Sequence, residues 1–82
     1  IMDKPTILIV DDERSARHGM RMFLERDYRI ISAENSSSAL EKLESNKVDI
    51  MLTDVRMPGM DGIELMEVAQ KKYNDLKCII LT

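Results

Sequence analysis

The segment Thr6-Ile7-Leu8-Ile9-Val10 constrains this chain more than any other feature. Every position in it is aliphatic or β-branched. A strand that is apolar on both faces must be covered on both, which places it in the interior of a parallel sheet. Asp11-Asp12-Glu13 ends the run, and a helical period follows. Ala16, Met20, Phe23 and Leu24 fall at i, i+4, i+7 and i+8, which predicts one inward helix face. Arg14, Arg17, Arg21 and Glu25 fall on the other side.

The same alternation then repeats. Arg29–Ala33 reads as a second strand. Asn35 or one of the following serines caps a second helix, whose apolar face is Ala39, Leu40 and Leu43. Ser38 and Glu41 have the spacing of a capping box. Val48–Thr53 reads as a third strand ending at Asp54, and Val55–Met60, with its adjacent Pro58 and Gly59, as a loop. Asp61 caps a third helix, with Glu64 three residues on and Leu65, Met66 and Ala69 as the inner stripe. Lys77–Thr82 reads as a fourth strand.

The order is β-α-β-α-β-α-β. Strands alternating with helices imply parallel strands and crossover connections, hence an α/β, doubly wound sheet with helices on both faces. No helix after Thr82 is present to cover the fourth strand. The reading therefore expects an incomplete domain over residues 1–82, with an apolar edge prone to self-association.

Composition narrows the function classes. The chain has 82 residues, 44% of them hydrophobic and 33% charged, which suits one globular domain rather than a disordered tail. No apolar run approaches the roughly 18 residues of a membrane span, and the N-terminus carries no secretory pattern. A single cysteine, Cys78, excludes an internal disulfide and agrees with a cytoplasmic location. Acidic and basic residues are mixed along the chain, with a net charge of -3, so direct nucleic-acid contact is not expected.

Chemistry concentrates where strands end. Ligands of doubly wound sheets sit beyond the carboxyl ends of the strands, where the strand order reverses. Asp11 and Asp12 follow the first strand and Asp54 ends the third. If these strands are neighbours, three carboxylates meet, and their repulsion calls for a cation. An all-oxygen donor set suits Mg²⁺. A carboxylate beside such a metal is a possible phosphoryl acceptor, and the Thr82 hydroxyl at the end of the fourth strand would be in place to donate to a phosphoryl oxygen. The plain alternative is that Asp11 and Asp12 only start a helix, where aspartate is favoured, and that Asp54 is a turn residue.

The motifs decide between these readings. Ile7-Leu8-Ile9-Val10-Asp11-Asp12-Glu13 resembles the opening strand of two-component response-regulator receiver domains. Asp49-Ile50-Met51-Leu52-Thr53-Asp54-Val55-Arg56-Met57-Pro58-Gly59-Met60-Asp61-Gly62 resembles their phosphorylation segment, and Cys78-Ile79-Ile80-Leu81-Thr82 their fourth strand. The resemblance implies the flavodoxin-like receiver fold with Asp54 as phosphoacceptor. It implies that Asp11, Asp12, Asp54 and the backbone carbonyl of Arg56 hold Mg²⁺, and that Thr82 is the switch hydroxyl. The implied donor is a phosphohistidine on a sensor histidine kinase. The implied readout is an output domain, of a transcription activator, outside this chain. Complete receivers continue into a fourth helix, a fifth strand ending in a lysine, and a fifth helix, and no position here matches that lysine.

Such a domain is not an enzyme acting on outside substrates. A phosphatase of the haloacid-dehalogenase type needs a second aspartate two residues after its nucleophile, and position 13 is Glu13. The competing reading is a non-phosphorylated association unit joined through edge strands or swapped elements. His18 and the methionines read as surface and core filler, Cys78 as a small buried hydrophobe, and the arginines of the first helix as either a docking surface or a solvated face.

Overall fold

Four parallel strands form one sheet in the order β2-β1-β3-β4 in the computed structural model, which describes residues 4–81. The elements are β1 (Thr6–Val10), α1 (Arg14–Leu24), β2 (Arg29–Ala33), α2 (Ser36–Ser45), β3 (Ile50–Asp54), α3 (Gly62–Lys72) and β4 (Lys77–Leu81). Thr82, expected to end the fourth strand, lies outside the described residues.

β1 lies inside the sheet between β2 and β3 and is buried at all its positions, as its two-sided apolar character requires. Alternate residues serve opposite faces. Leu8, Val10 and Ala33 meet Met51 of β3, Ala39 and Leu43 of α2, and Leu65 and Ala69 of α3 in one core cluster. Ile7 and Ile9, equally buried, point to the other face, where α1 packs on β1 and β2. The helices thus lie on both faces, as expected.

The third strand begins later than its apolar run suggests. Asp49 stays outside β3, and its backbone N–H donates to the Thr6 carbonyl at 2.9 Å. Its carboxylate accepts the Thr6 N–H at 2.8 Å. This clasp sets the register in which Ile7 pairs with Ile50 and Val10 with Thr53.

Of the caps the sequence offered for α2, Asn35 is the one used: its side chain accepts the Ser38 N–H at 2.8 Å, so Ser38 already lies in the first turn and the Ser38–Glu41 spacing does not cap the helix. One helix-level expectation is corrected. Phe23 is not inward-facing: it is 85% exposed. α1 holds no fully buried residue, and its half-buried arc runs through Ala16, Arg17, Met20, Arg21 and Leu24. Phe23 falls at the margin of that arc, and the narrow contact with β1 and β2 leaves it in solvent. Cys78 is half-buried rather than buried, and desolvation raises its thiol pKa, keeping it protonated at neutral pH.

β4 forms one edge of the sheet. Ile79 and Leu81, on the face that α1 shares, are 48% and 37% exposed. The exposed apolar edge expected from the sequence is therefore present among the described residues.

Candidate functional site

The pairing of Val10 with Thr53 brings the carboxyl ends of β1 and β3 side by side. Asp11 and Asp12 leave β1 there and Asp54 closes β3. One carboxylate oxygen from each of the three lies within 4.8 Å of the others. Asp11 is buried, Asp54 half-buried and Asp12 exposed. The donor set is all oxygen and anionic, with no thiolate or imidazole, which fits a hard divalent cation such as Mg²⁺. Like charges this close also favour any cation that reduces their repulsion.

Local backbone holds Asp11 firmly and Asp54 only loosely. Asp11 extends the ladder, donating its N–H to the Ala33 carbonyl at 3.2 Å. Its carboxylate accepts the Glu13 N–H at 2.9 Å. Its own carbonyl accepts from Arg17 Nη1 at 2.7 Å. Asp54 accepts the Arg56 N–H at a long 3.4 Å, which leaves its carboxylate largely free. The buried Thr53 hydroxyl donates to the Asp54 carbonyl at 3.0 Å.

The loop after Asp54 is tightly built. Gly59 has φ 79, a left-handed backbone conformation that glycine adopts without steric cost. The buried Ser36 hydroxyl donates to the Met60 carbonyl at 2.7 Å, tying the loop to the start of α2. Asp61 caps α3 by accepting the Ile63 and Glu64 N–H groups at 3.0 and 2.9 Å, and the Glu64 side chain accepts the Asp61 N–H in return. A groove of about 620 Å³ lies between this loop and α2, open beside Asp12.

Gly62 is the tightest point. Its N–H donates to the Val55 carbonyl at 2.9 Å. A Cβ there would collide with the Asp54 carbonyl oxygen and stand 2.9 Å from its carbon. Gly62→Ala is therefore expected to push α3 off the end of β3. The expected cost is about 1–3 kcal/mol, the usual range for overpacking, read as a lower urea midpoint. The same shift moves the Asp54 backbone, so divalent-cation affinity should fall with it.

The structure thus brings Asp11, Asp12 and Asp54 together. Arg56 stands two residues beyond Asp54, exposed, with its N–H toward the Asp54 carboxylate. Thr82 lies outside the described residues, although its neighbour Leu81 pairs with Asp54. His18 is exposed on α1. Sequence reasoning offered Ser36 only as one of several candidate caps, gave Thr53 no role, and placed Arg17 on the outer helix side as a docking or solvated residue. A signal for Arg17 did exist: helical side chains lean toward the helix N-terminus, so a long residue in the first turn reaches back to the preceding strand.

A doubly wound parallel sheet with an acidic cluster beyond two adjacent strands defines an α/β domain with a candidate cation site at the carboxyl ends of its strands. The response regulator receiver domain model matches residues 7–82, and the chain belongs to that family. It is 48% identical over 79 residues to the transcriptional regulatory protein ResD of Bacillus subtilis, covering 93% of this chain and 32% of that protein. It is 34% identical over 82 residues to the DNA-binding transcriptional regulator NtrC of Proteus hauseri, covering 99% of this chain and 17% of that protein. The response regulator TrrA of Thermotoga maritima, solved in complex with Mg²⁺-BeF, superposes with a TM-score of 0.89 at 40% identity, covering 95% of this chain and 69% of that one. The chain therefore spans a third or less of these curated relatives. Receiver domains of two-component systems are signalling domains rather than classical enzymes. Among the described residues, no helix is long and apolar enough to cross a membrane.

Proposed function

We propose that this chain is the phosphoacceptor switch of a two-component system, with Asp54 receiving a phosphoryl group from a phosphohistidine of a sensor histidine kinase. In the transfer an Asp54 carboxylate oxygen bonds to phosphorus while the phosphorus–nitrogen bond to the donor imidazole breaks. The imidazole leaves with that electron pair and takes up a proton. Asp11, Asp12, Asp54 and the backbone carbonyl of Arg56 would hold Mg²⁺, which would offset negative charge on the phosphoryl oxygens. The Thr82 hydroxyl is assigned the contact that reports the phosphoryl group. The output is a domain of the parent protein that acts on transcription, in keeping with the names of the ResD and NtrC relatives. A cytoplasmic location accompanies this reading.

The observation that carries the reading is the convergence of Asp11, Asp12 and Asp54 within 4.8 Å in a member of the receiver family. Asp54 is half-buried and its carboxylate carries only one long hydrogen bond, so it is open to reaction. The test is intact mass after incubation with acetyl phosphate, with and without Mg²⁺. One added phosphoryl group per chain, dependent on Mg²⁺, is expected. No gain under any condition sinks the proposal that this chain is a working switch.

The competing reading, an association unit joined through β4, is favoured by the exposure of Ile79 and Leu81. It expects an oligomer in light scattering whether or not Mg²⁺ and phosphodonor are present, and no mass gain.

A further inference from the structure

The β1–α1 connection has an unusual support. Glu13 stands at the N-cap position of α1 but makes no side-chain cap hydrogen bond. The turn is closed by two other contacts. The Glu13 N–H donates to the Asp11 carboxylate at 2.9 Å, and the Arg17 guanidinium reaches back to the Asp11 carbonyl at 2.7 Å. The second contact spans six residues and ties the first turn of α1 to the end of β1. The Asp11 carbonyl belongs to the peptide that leads into Asp12. Holding it fixes the backbone rotation that sets both carboxylates relative to Asp54.

The geometry points to Arg17 as a positioning residue for divalent-cation binding, acting through the Asp11–Asp12 peptide rather than by touching the ion. This rests on the proposed reading of the acidic cluster as the cation site. Electrostatics and positioning make opposite demands here. A guanidinium bonded to the Asp11 carbonyl brings positive charge toward the cluster and opposes the arrival of a second cation, so its charge alone weakens metal binding. Its hydrogen bond does the reverse, because it holds the loop that presents two of the three carboxylates. Groups that orient metal ligands typically carry 10–100-fold in affinity.

The test is Mn²⁺ affinity by electron paramagnetic resonance on the whole chain. Arg17→Ala, Arg17→Lys and Arg21→Ala are compared with the unsubstituted protein. Arg21 is the half-buried arginine one helical turn further on and controls for loss of charge. Arg17→Ala is expected to weaken binding about tenfold. Arg17→Lys, which keeps one donor, should recover most of it, and Arg21→Ala should leave it unchanged or slightly tighter. Affinity in Arg17→Ala equal to or tighter than in the unsubstituted chain overturns the inference. A metal-free readout separates the two levels of the argument. In Arg17→Ala the Glu13 amide should lose hydrogen-exchange protection, while the amides of β1 and β3 keep theirs. Loss of protection across the whole sheet would mean global destabilisation and would also overturn the positioning role. If the unsubstituted chain binds no Mn²⁺ while the Glu13 amide responds to the substitution as expected, the cation-site reading fails and the loop contact stands.

Discussion

Asp54→Asn is expected to abolish phosphoryl uptake while leaving the fold intact. Asparagine has the same shape as aspartate, but its neutral amide is not a nucleophile toward phosphorus. Loss of a nucleophile lowers transfer by on the order of 10⁴-fold or more, which puts it below detection by intact mass. The substitution also removes one of the three carboxylates that lie within 4.8 Å of one another, so Mg²⁺ affinity should fall as well. The fold has little at stake, since the Asp54 carboxylate makes a single 3.4 Å hydrogen bond. Removing one like charge from the cluster relieves repulsion, so the metal-free melting temperature should hold or rise. A phosphoryl mass gain that persists in Asp54→Asn would move the acceptor to another residue, with Asp11 and Asp12 the first to examine.

The second large effect concerns stability. Leu8→Ala should cost about 3–5 kcal/mol, the upper range for a leucine truncated in a packed core. Leu8 has no solvent exposure and sits midway along β1, in the core cluster that α2 and α3 share. An 82-residue chain has a total stability of about 4–12 kcal/mol. The substitution therefore removes a large share of it, and urea titration followed by circular dichroism should show a much lower midpoint or no cooperative transition. Phe23→Ala is the informative partner. Phenylalanine is the larger side chain, yet at 85% exposure it should change stability by less than about 0.5 kcal/mol. If the two substitutions cost the same, Phe23 is covered in solution, and a second copy of the chain becomes the first candidate for what covers it.

The contrast between Leu8 and Phe23 also separates what was legible in the residues from what was not. The bounds of β1 and β2 were readable because each run of strand-forming residues is closed by polar ones. Thr6–Val10 needs cover on both faces and so reports its own central place in the sheet. The Asp61–Glu64 capping box was readable because capping depends on neighbours three residues apart. The acidic cluster was legible as a conditional: three aspartates at strand ends meet only if β1 and β3 are adjacent, and the strand order makes them so.

Long-range geometry settled the rest. Helical periodicity put Phe23 inward, but periodicity ranks faces without saying how wide the neighbouring surface is. Only the packing of α1 on two strands leaves Phe23 outside. Asp49 looked like a strand residue because Val48 and Ile50 flank it. Its carboxylate instead holds the Thr6 N–H, a partner 43 positions away. The want of room at Gly62 comes from the Asp54 backbone, brought close by the turn between β3 and α3. Local pattern thus decided the elements, the caps and the identity of the carboxylates, because those rest on energies shared among near neighbours in the chain. Adjacency, burial at the margins and the contacts that aim Asp11, Asp12 and Asp54 were decided by the tertiary fold, because they depend on surfaces that exist only once distant segments have packed.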